Sequence, residues 1–213
     1  MRVDHWMTRY PATVDKDSSV GAAIQLLKER KIRRLPVVHG HDLVGIVTDR
    51  DLKEAQPSKA TSLDIWELHF LLDKLKVSEV MSTDLATIRP DDTIEKAAMI
   101  MLERKIGGLP VLDASGALVG MITQGDVFRA LVEVTGAKFK KTRVSLLVPD
   151  EAGSIRDVAD LCRAHGKILS ILVSYMQVPT GMREVILRVD SNDVEALKWE
   201  LSHRFGEVTV AAD

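Results

Sequence analysis

Gly45-Ile46-Val47-Thr48-Asp49-Arg50-Asp51 is echoed by Gly120-Met121-Ile122-Thr123-Gln124-Gly125-Asp126. Each stretch is a glycine, two apolar residues, a threonine and, three residues after it, an aspartate. Working outward, Leu35-Pro36-Val37 matches Leu109-Pro110-Val111 at a spacing of 74, and Glu29-Arg30-Lys31-Ile32 matches Glu103-Arg104-Lys105-Ile106 at the same spacing. Ala23 with Ala97, Asp17 with Asp91, Ala12-Thr13 with Ala86-Thr87 and Met7 with Met81 extend the match toward the N-terminus. One extra residue in the second copy shifts the spacing to 75, and Leu43-Val44-Gly45 then meets Leu118-Val119-Gly120. So many ordered matches mark two copies of one supersecondary unit.

Each unit reads strand, helix, strand, strand, helix. Pro11–Asp15 is a short strand. Val20, Ala23, Ile24 and Leu27 form one apolar helix face, as do Ile94, Ala97, Ala98 and Met101, with Asp92 and Glu95 as a capping box. Leu35–His39 and Leu43–Thr48 are Val-rich strands turning at Gly40; Ala114-Ser115-Gly116 is the turn of the second copy. A three-stranded sheet with two helices on one face stays underpacked alone, so the two copies are expected to pack together. Between them, Ser58–Ser62 reads as a turn. Thr61 and Asp64 open a helix carrying Ile65, Trp66, Leu68, Phe70, Leu71, Leu72 and Leu75. Its apolar circumference predicts burial, against its own domain or a partner subunit.

From Thr142 onward the pattern changes. Val144, Leu146 and Val148 alternate as a half-buried strand. Ser154 and Asp157 cap a helix through His165, with Gly166 at C′. Strands over Lys167–Val178 and Met182–Val189 follow, then a helix opened by Asn192 and Glu195, then a strand over Val208–Ala211. The order βαββαβ is the ferredoxin-like plan. The fold class is mixed α+β and α/β. Its domains read as residues 1–76 (first repeat with the inter-repeat helix), 77–137 (second repeat), a basic linker over 138–141, and 142–213.

The chain has 213 residues, 29 Lys plus Arg against 31 Asp plus Glu, and 4% aromatics. Neither net charge nor aromatic content carries the footprint of a nucleic-acid binder. One cysteine, Cys162, excludes an intrachain disulfide framework. No run approaches about 18 apolar residues and no signal peptide is visible, so the chain reads as cytoplasmic and away from membranes. His39-Gly40-His41 straddles a turn without a third ligand, so no metal site is read. No phosphate loop, zinc-binding helix or nucleophile elbow occurs, which argues against an enzyme.

The chemistry sits where the third strand of each unit meets its helix. A threonine hydroxyl suits a phosphate, and an aspartate accepts two hydrogen bonds from a ribose diol. The same residues suit plain helix capping; their recurrence in both copies favours the ligand. The pair of units resembles a tandem of CBS domains, a Bateman module, over Met1 to about Gly136. That resemblance implies adenosine nucleotide binding (AMP, ADP or ATP, with or without Mg). It places Asp51 and Asp126 on ribose, and Thr48 and Thr123 on phosphate beside Arg50 and Gly125. Thr13-Val14 and Thr87-Ile88 would line the adenine pocket, with Pro36 and Pro110 near it. Residues ahead of the Leu-Pro step also face the ligand. They are Arg33-Arg34 in the first copy and Gly107-Gly108 in the second, so two inequivalent sites are expected.

The last segment resembles an ACT domain through Asp150-Glu151-Ala152-Gly153-Ser154-Ile155. The resemblance implies dimerisation and an amino-acid ligand at Asp150, Gly153, Ser154 and Ile155. The order CBS, CBS, ACT resembles the acetoin-utilisation protein B group. Together these imply a non-enzymatic, homodimeric sensor acting on a regulated protein partner. The alternative is an interaction protein with unoccupied pockets that recruits an enzyme through the inter-repeat helix.

Overall fold

Thr8–Arg9 (β1) is a two-residue strand that pairs not with its own repeat but with Leu118–Thr123 (β6) of the other, Thr8 facing Met121. The computed structural model describes residues 1–56 and 65–211. The turn read over Ser58–Ser62, the helix start at Thr61 and Asp64, and the side chain of Trp66 lie outside the described residues. The chain divides into two compact units, Met1–Val127 and Phe128–Asp213.

In the first unit, one repeat runs Val14–Asp15 (β2), Val20–Arg30 (α1), Arg34–His39 (β3), Asp42–Thr48 (β4) and Asp49–Glu54 (α2). β2 lies parallel to β3, and β3 antiparallel to β4. Ile65–Lys74 (α3) follows. The second repeat runs Ile94–Glu103 (α4), Gly108–Leu112 (β5), β6 and the start of Gln124–Val134 (α5), a helix whose residues from Phe128 onward belong to the second unit, with a bridge from Ile88 to Val111 standing for the first strand. Val20, Ala23, Leu27, Leu35, Val37 and Val47 make one core, and Leu109, Val111 and Ile122 are their fully buried counterparts. Each of the Val, Leu and Ile side chains contributes about 1.5–3 kcal/mol on burial.

The repeats exchange their leading segments. A 3-10 turn over Val3–His5 docks on the start of α4, through Val3 N–H to Asp92 O at 2.9 Å and Ile94 N–H to Met1 O at 2.8 Å. Its counterpart over Val77–Glu79 docks on the start of α1, through Val77 N–H to Ser18 O at 2.9 Å and Val20 N–H to Leu75 O at 2.8 Å. Met7 then lies against Gly120, and Met81 against Gly45, so closely that a Cβ at either glycine would strike the thioether sulfur. Glycine is required there for close approach.

α3 is only partly covered within the chain. Leu72 is buried, whereas Phe70 and Leu71 are exposed. In α4 the cap moves one residue from the expected Asp92. Thr93 accepts from Lys96 N–H, while Asp92 accepts from Arg89 N–H.

The second unit runs Thr142–Pro149 (β7), Ser154–His165 (α6), Gly166–Ser174 (β8), Met182–Ser191 (β9), Val194–Phe205 (α7) and Val208–Ala211 (β10). Its four strands are antiparallel in the order β10-β7-β9-β8. Val144, Leu146 and Val148 meet Val158 and Cys162 of α6 and Leu197 and Leu201 of α7 in one core. The expected caps again shift. Gly153, not Ser154, precedes α6 and makes no side-chain cap bond, and Asp193, not Asn192, caps α7 through Ala196 N–H. Gly166 is extended rather than left-handed, and a Cβ there would strike Asp190 O of β9. The basic junction is spent on ion pairs: Lys138 with Glu133, and Lys141 with Asp190 at 2.9 Å.

Two outcomes follow. Gly120→Val should cost about 1–3 kcal/mol by overpacking. Because the three atoms nearest to that position all belong to Met7, adding Met7→Ala should restore part of the urea midpoint. Burial pushes the Cys162 thiol up to about 11, so it stays protonated at pH 8. Iodoacetamide should leave it unmodified in the native protein and alkylate it in urea, read by mass.

Candidate functional site

β3 and β4 pair so that Arg34 faces Thr48, and β5 and β6 so that Gly108 faces Thr123. Asp49 N–H bonds to Arg33 O at 2.9 Å, and Gln124 N–H to Gly107 O at 3.1 Å. Each repeat thus holds its Thr-x-x-Asp turn against the residues ahead of its Leu-Pro step, with the same backbone geometry.

The turn is a reciprocal cap. Asp51 Oδ2 accepts from Thr48 N–H at 2.8 Å and Thr48 Oγ1 at 2.7 Å, and Thr48 Oγ1 accepts from Asp51 N–H at 3.4 Å. Asp126 Oδ2 accepts from Thr123 N–H and Oγ1, both at 2.7 Å. A carboxylate only accepts, so each threonine hydroxyl proton points at its aspartate. Neither threonine donates to a phosphate while the cap is formed. The capping role is therefore present, and it is carried by Oδ2 of each aspartate.

A cavity of about 950 Å³ opens on the first turn. That lies within the ~300–1,000 Å³ range of small-molecule sites. Thr48, Arg50 and Asp51 line it beside Arg33 and Arg34 of the same repeat, and Gly107, Gly108 and Pro110 close it from the second repeat. Ile46, Leu85, Ala86 and Ile106 supply apolar surface, and Lys53 and Lys105 add cations. Lys53 is held by Asp49 at 2.6 Å. Asp49, Glu54 and Asp84 add carboxylates to the same lining.

A second cavity of about 330 Å³ is lined by Lys31, Ile32, Arg33 and Arg34 from one repeat and Gly107, Thr123, Gln124 and Gly125 from the other. Asp126 lines neither cavity and is 5% exposed. Burial and the adjacent Arg33 push the Arg34 guanidinium below its usual range, and Asp126 opposes the shift.

Four expected lining residues lie elsewhere. Val14 and Ile88 are buried in strand pairs, with Ile88 N–H bonded to Pro110 O at 3.1 Å. Thr13 is half-buried and Thr87 exposed, and neither lines these cavities. The large cavity instead uses Leu85 and Ala86, two residues earlier; the repeated Ala-Thr pair is the sequence signal for that wall. Pro36, the mate of Pro110, lines neither cavity. In the second unit, Asp150 Oδ1 is already tied to Arg183 at 3.2 Å and Tyr175 OH at 3.3 Å, while Arg183 Nη2 donates to Glu151 O at 2.8 Å. Gly153 is left-handed, Ser154 buried, and Ile155 packs on the core. Among the described residues no three His, Cys, Asp or Glu side chains are placed to hold a metal, and no helix is long and apolar enough to cross a membrane.

The CBS domain family matches residues 3–58 and 77–133. A CBS domain-containing protein of Dictyostelium discoideum is 35% identical over 139 residues, 62% of this chain and 92% of its own length. The structure of an acetoin utilization protein, AcuB, of Vibrio cholerae superposes with a TM-score of 0.54 and 31% identity, covering 66% of this chain and 97% of that one. CBSX2 of Arabidopsis thaliana, solved in complex with AMP, gives a TM-score of 0.51 and 34% identity over 62% of this chain and 97% of that one. Inosine-5′-monophosphate dehydrogenases and homoserine O-acetyltransferases also match, over only 22% to 26% of their own length.

The cap yields a check that needs no ligand. Thr48→Ala and Asp51→Ala should each cost about 1 kcal/mol. The double variant should lose less than the sum, because both changes remove one reciprocal pair. Urea unfolding of the four proteins reads it.

Proposed function

The chain belongs to the CBS-domain family, and from that premise we propose that it is a non-enzymatic sensor of adenosine nucleotides. The observation that carries this is the large cavity, where Asp51, an arginine cluster and an apolar wall converge. Asp51 takes the ribose hydroxyls through Oδ1. Arg33 and Arg50 take phosphate oxygens, for which planar guanidinium groups are suited. The adenine ring lies on Leu85 and Ala86. The AMP complex of CBSX2 supports this choice of ligand. Mg enters only as a companion of the nucleotide's phosphates.

The sensor acts in the cytoplasm as a homodimer on a protein partner, and it has neither nucleic acid nor membrane as partner. For ligand to shift such a dimer, it must bind one arrangement better than the other. The second unit is read as an ACT-like, ferredoxin-like domain, on its βαββαβ order and its 4-1-3-2 arrangement of strands. It serves dimerisation or a second small ligand. An amino acid at Asp150, Gly153, Ser154 and Ile155 would compete with the Arg183 contact to Asp150. The interaction-protein reading keeps one observation in its favour, the exposed Phe70 and Leu71 of α3.

Thermal unfolding against AMP, ADP, ATP, S-adenosylmethionine and amino acids tests the proposal. A ligand at 100 times its dissociation constant adds about 2.7 kcal/mol, a rise of about 5–10 °C for a chain of this size. The rise should occur with an adenosine ligand and vanish in Asp51→Ala, each protein compared with its own ligand-free midpoint. No shift with any adenosine compound would overturn the sensor in favour of the interaction protein.

A further inference from the structure

The two cavities are related by the internal repeat, yet one has about 950 Å³ and the other about 330 Å³. The strand registers beside the two turns match, and so do the bonds from each threonine to its aspartate. The difference arises from the residues that each repeat presents to the other. Into the large cavity the second repeat presents Gly107 and Gly108, which have no side chains. Into the small one the first repeat presents Arg33 and Arg34.

The Arg34 side chain reaches across to the second repeat. Its Nη1 lies 2.6 Å from where a Cβ on Gly108 would stand, and its Nη2 crowds the same position on Gly107. The guanidinium thus lies against Gly107 and Gly108. Asp126 acts on its charge, and that carboxylate is 5% exposed while its mate Asp51 lines an open cavity. The remaining 330 Å³ is at the floor of the ~300–1,000 Å³ range for ligand pockets.

We infer that Arg34 is an internal plug for the second nucleotide site, its guanidinium holding the place of a ligand beside Asp126. The chain therefore binds one nucleotide, in the Asp51 cavity, and the Asp126 site is closed by its own sequence. This rests on the adenosine-nucleotide reading for the identity of the ligand, and not for the closure itself. Glycine at position 34 would copy Gly108 and should give the small cavity the open wall of the large one.

Equilibrium dialysis with AMP counts the sites. The expected result is one equivalent per wild-type chain and two per Arg34→Gly chain. In the Arg34→Gly background, Asp51→Ala should remove one equivalent and Asp126→Ala the other. Arg34→Ala serves as a second opening variant should the glycine weaken β3, with circular dichroism confirming the fold of each. Two equivalents on the wild type would overturn the plug and leave the sensor standing. So would an opened variant in which no bound AMP depends on Asp126. No AMP on the wild type, with one Asp126-dependent equivalent on the opened variant, would uphold the plug and overturn the assignment of the Asp51 cavity. No AMP on either protein would overturn both.

Discussion

The exchange of leading segments between the repeats is the constraint on which the first unit depends. Met7 fills the space over Gly120, and Met81 the space over Gly45. The 3-10 turns that follow Arg2 and Lys76 are hydrogen-bonded to the helix starts of the opposite repeats. The sheet of the second repeat takes its third strand, β1, from the first, and Ser82 of the second repeat bridges in return to Ile46 of the first. A repeat whose sheet is completed by a strand of its neighbour cannot fold far without it. This joins the copies face to face, with their Thr-x-x-Asp turns and Leu-Pro strands around common clefts.

A scaffold symmetric in its backbone need not have symmetric sites. Each cleft is walled by both copies, so one substitution acts on two cavities in opposite ways. Arg34 adds cationic lining to the Asp51 side and removes volume on the Asp126 side. Guanidinium stays charged even when burial disfavours it, and Asp126 lies near enough to counter that burial. Gene duplication would start from two equal sites; the pair Arg33-Arg34 against Gly107-Gly108 is sufficient to make them unequal.

Much of this architecture is legible in the amino-acid sequence. The spacing of Thr48, Asp51, Thr123 and Asp126 locates both turns, because a repeat preserves what its geometry needs. The alternation of Val144, Leu146 and Val148 locates β7 for the same reason that buries all three. The features that escape such a reading do so for physical causes. β1 is two residues long and both are exposed, so no periodicity marks it. Asp92-Thr93 and Asn192-Asp193 each juxtapose two good cap formers, and tertiary docking selects the second. Val14 and Ile88 are apolar enough to line a pocket, but strand pairing turns them into the core. Arg34 is recognisable as a phosphate-binding candidate. That it lies on Gly107 and Gly108 follows only from how the copies face each other.

The caps connect occupancy to local stability. Asp51 holds the start of α2 with Oδ2 and borders the large cavity with the same carboxylate. A ligand that recruits this carboxylate either keeps its rotamer, and then reinforces the cap, or turns it, and then weakens α2. Either way ligand affinity and the stability of α2 are linked, because each depends on the state of one side chain. α2 is six residues long and buries only Leu52, so it has little besides its cap and that one anchor to hold it. In the proposed sensor, the residue assigned to the ribose thereby stands on a short helix held by its cap and one buried anchor.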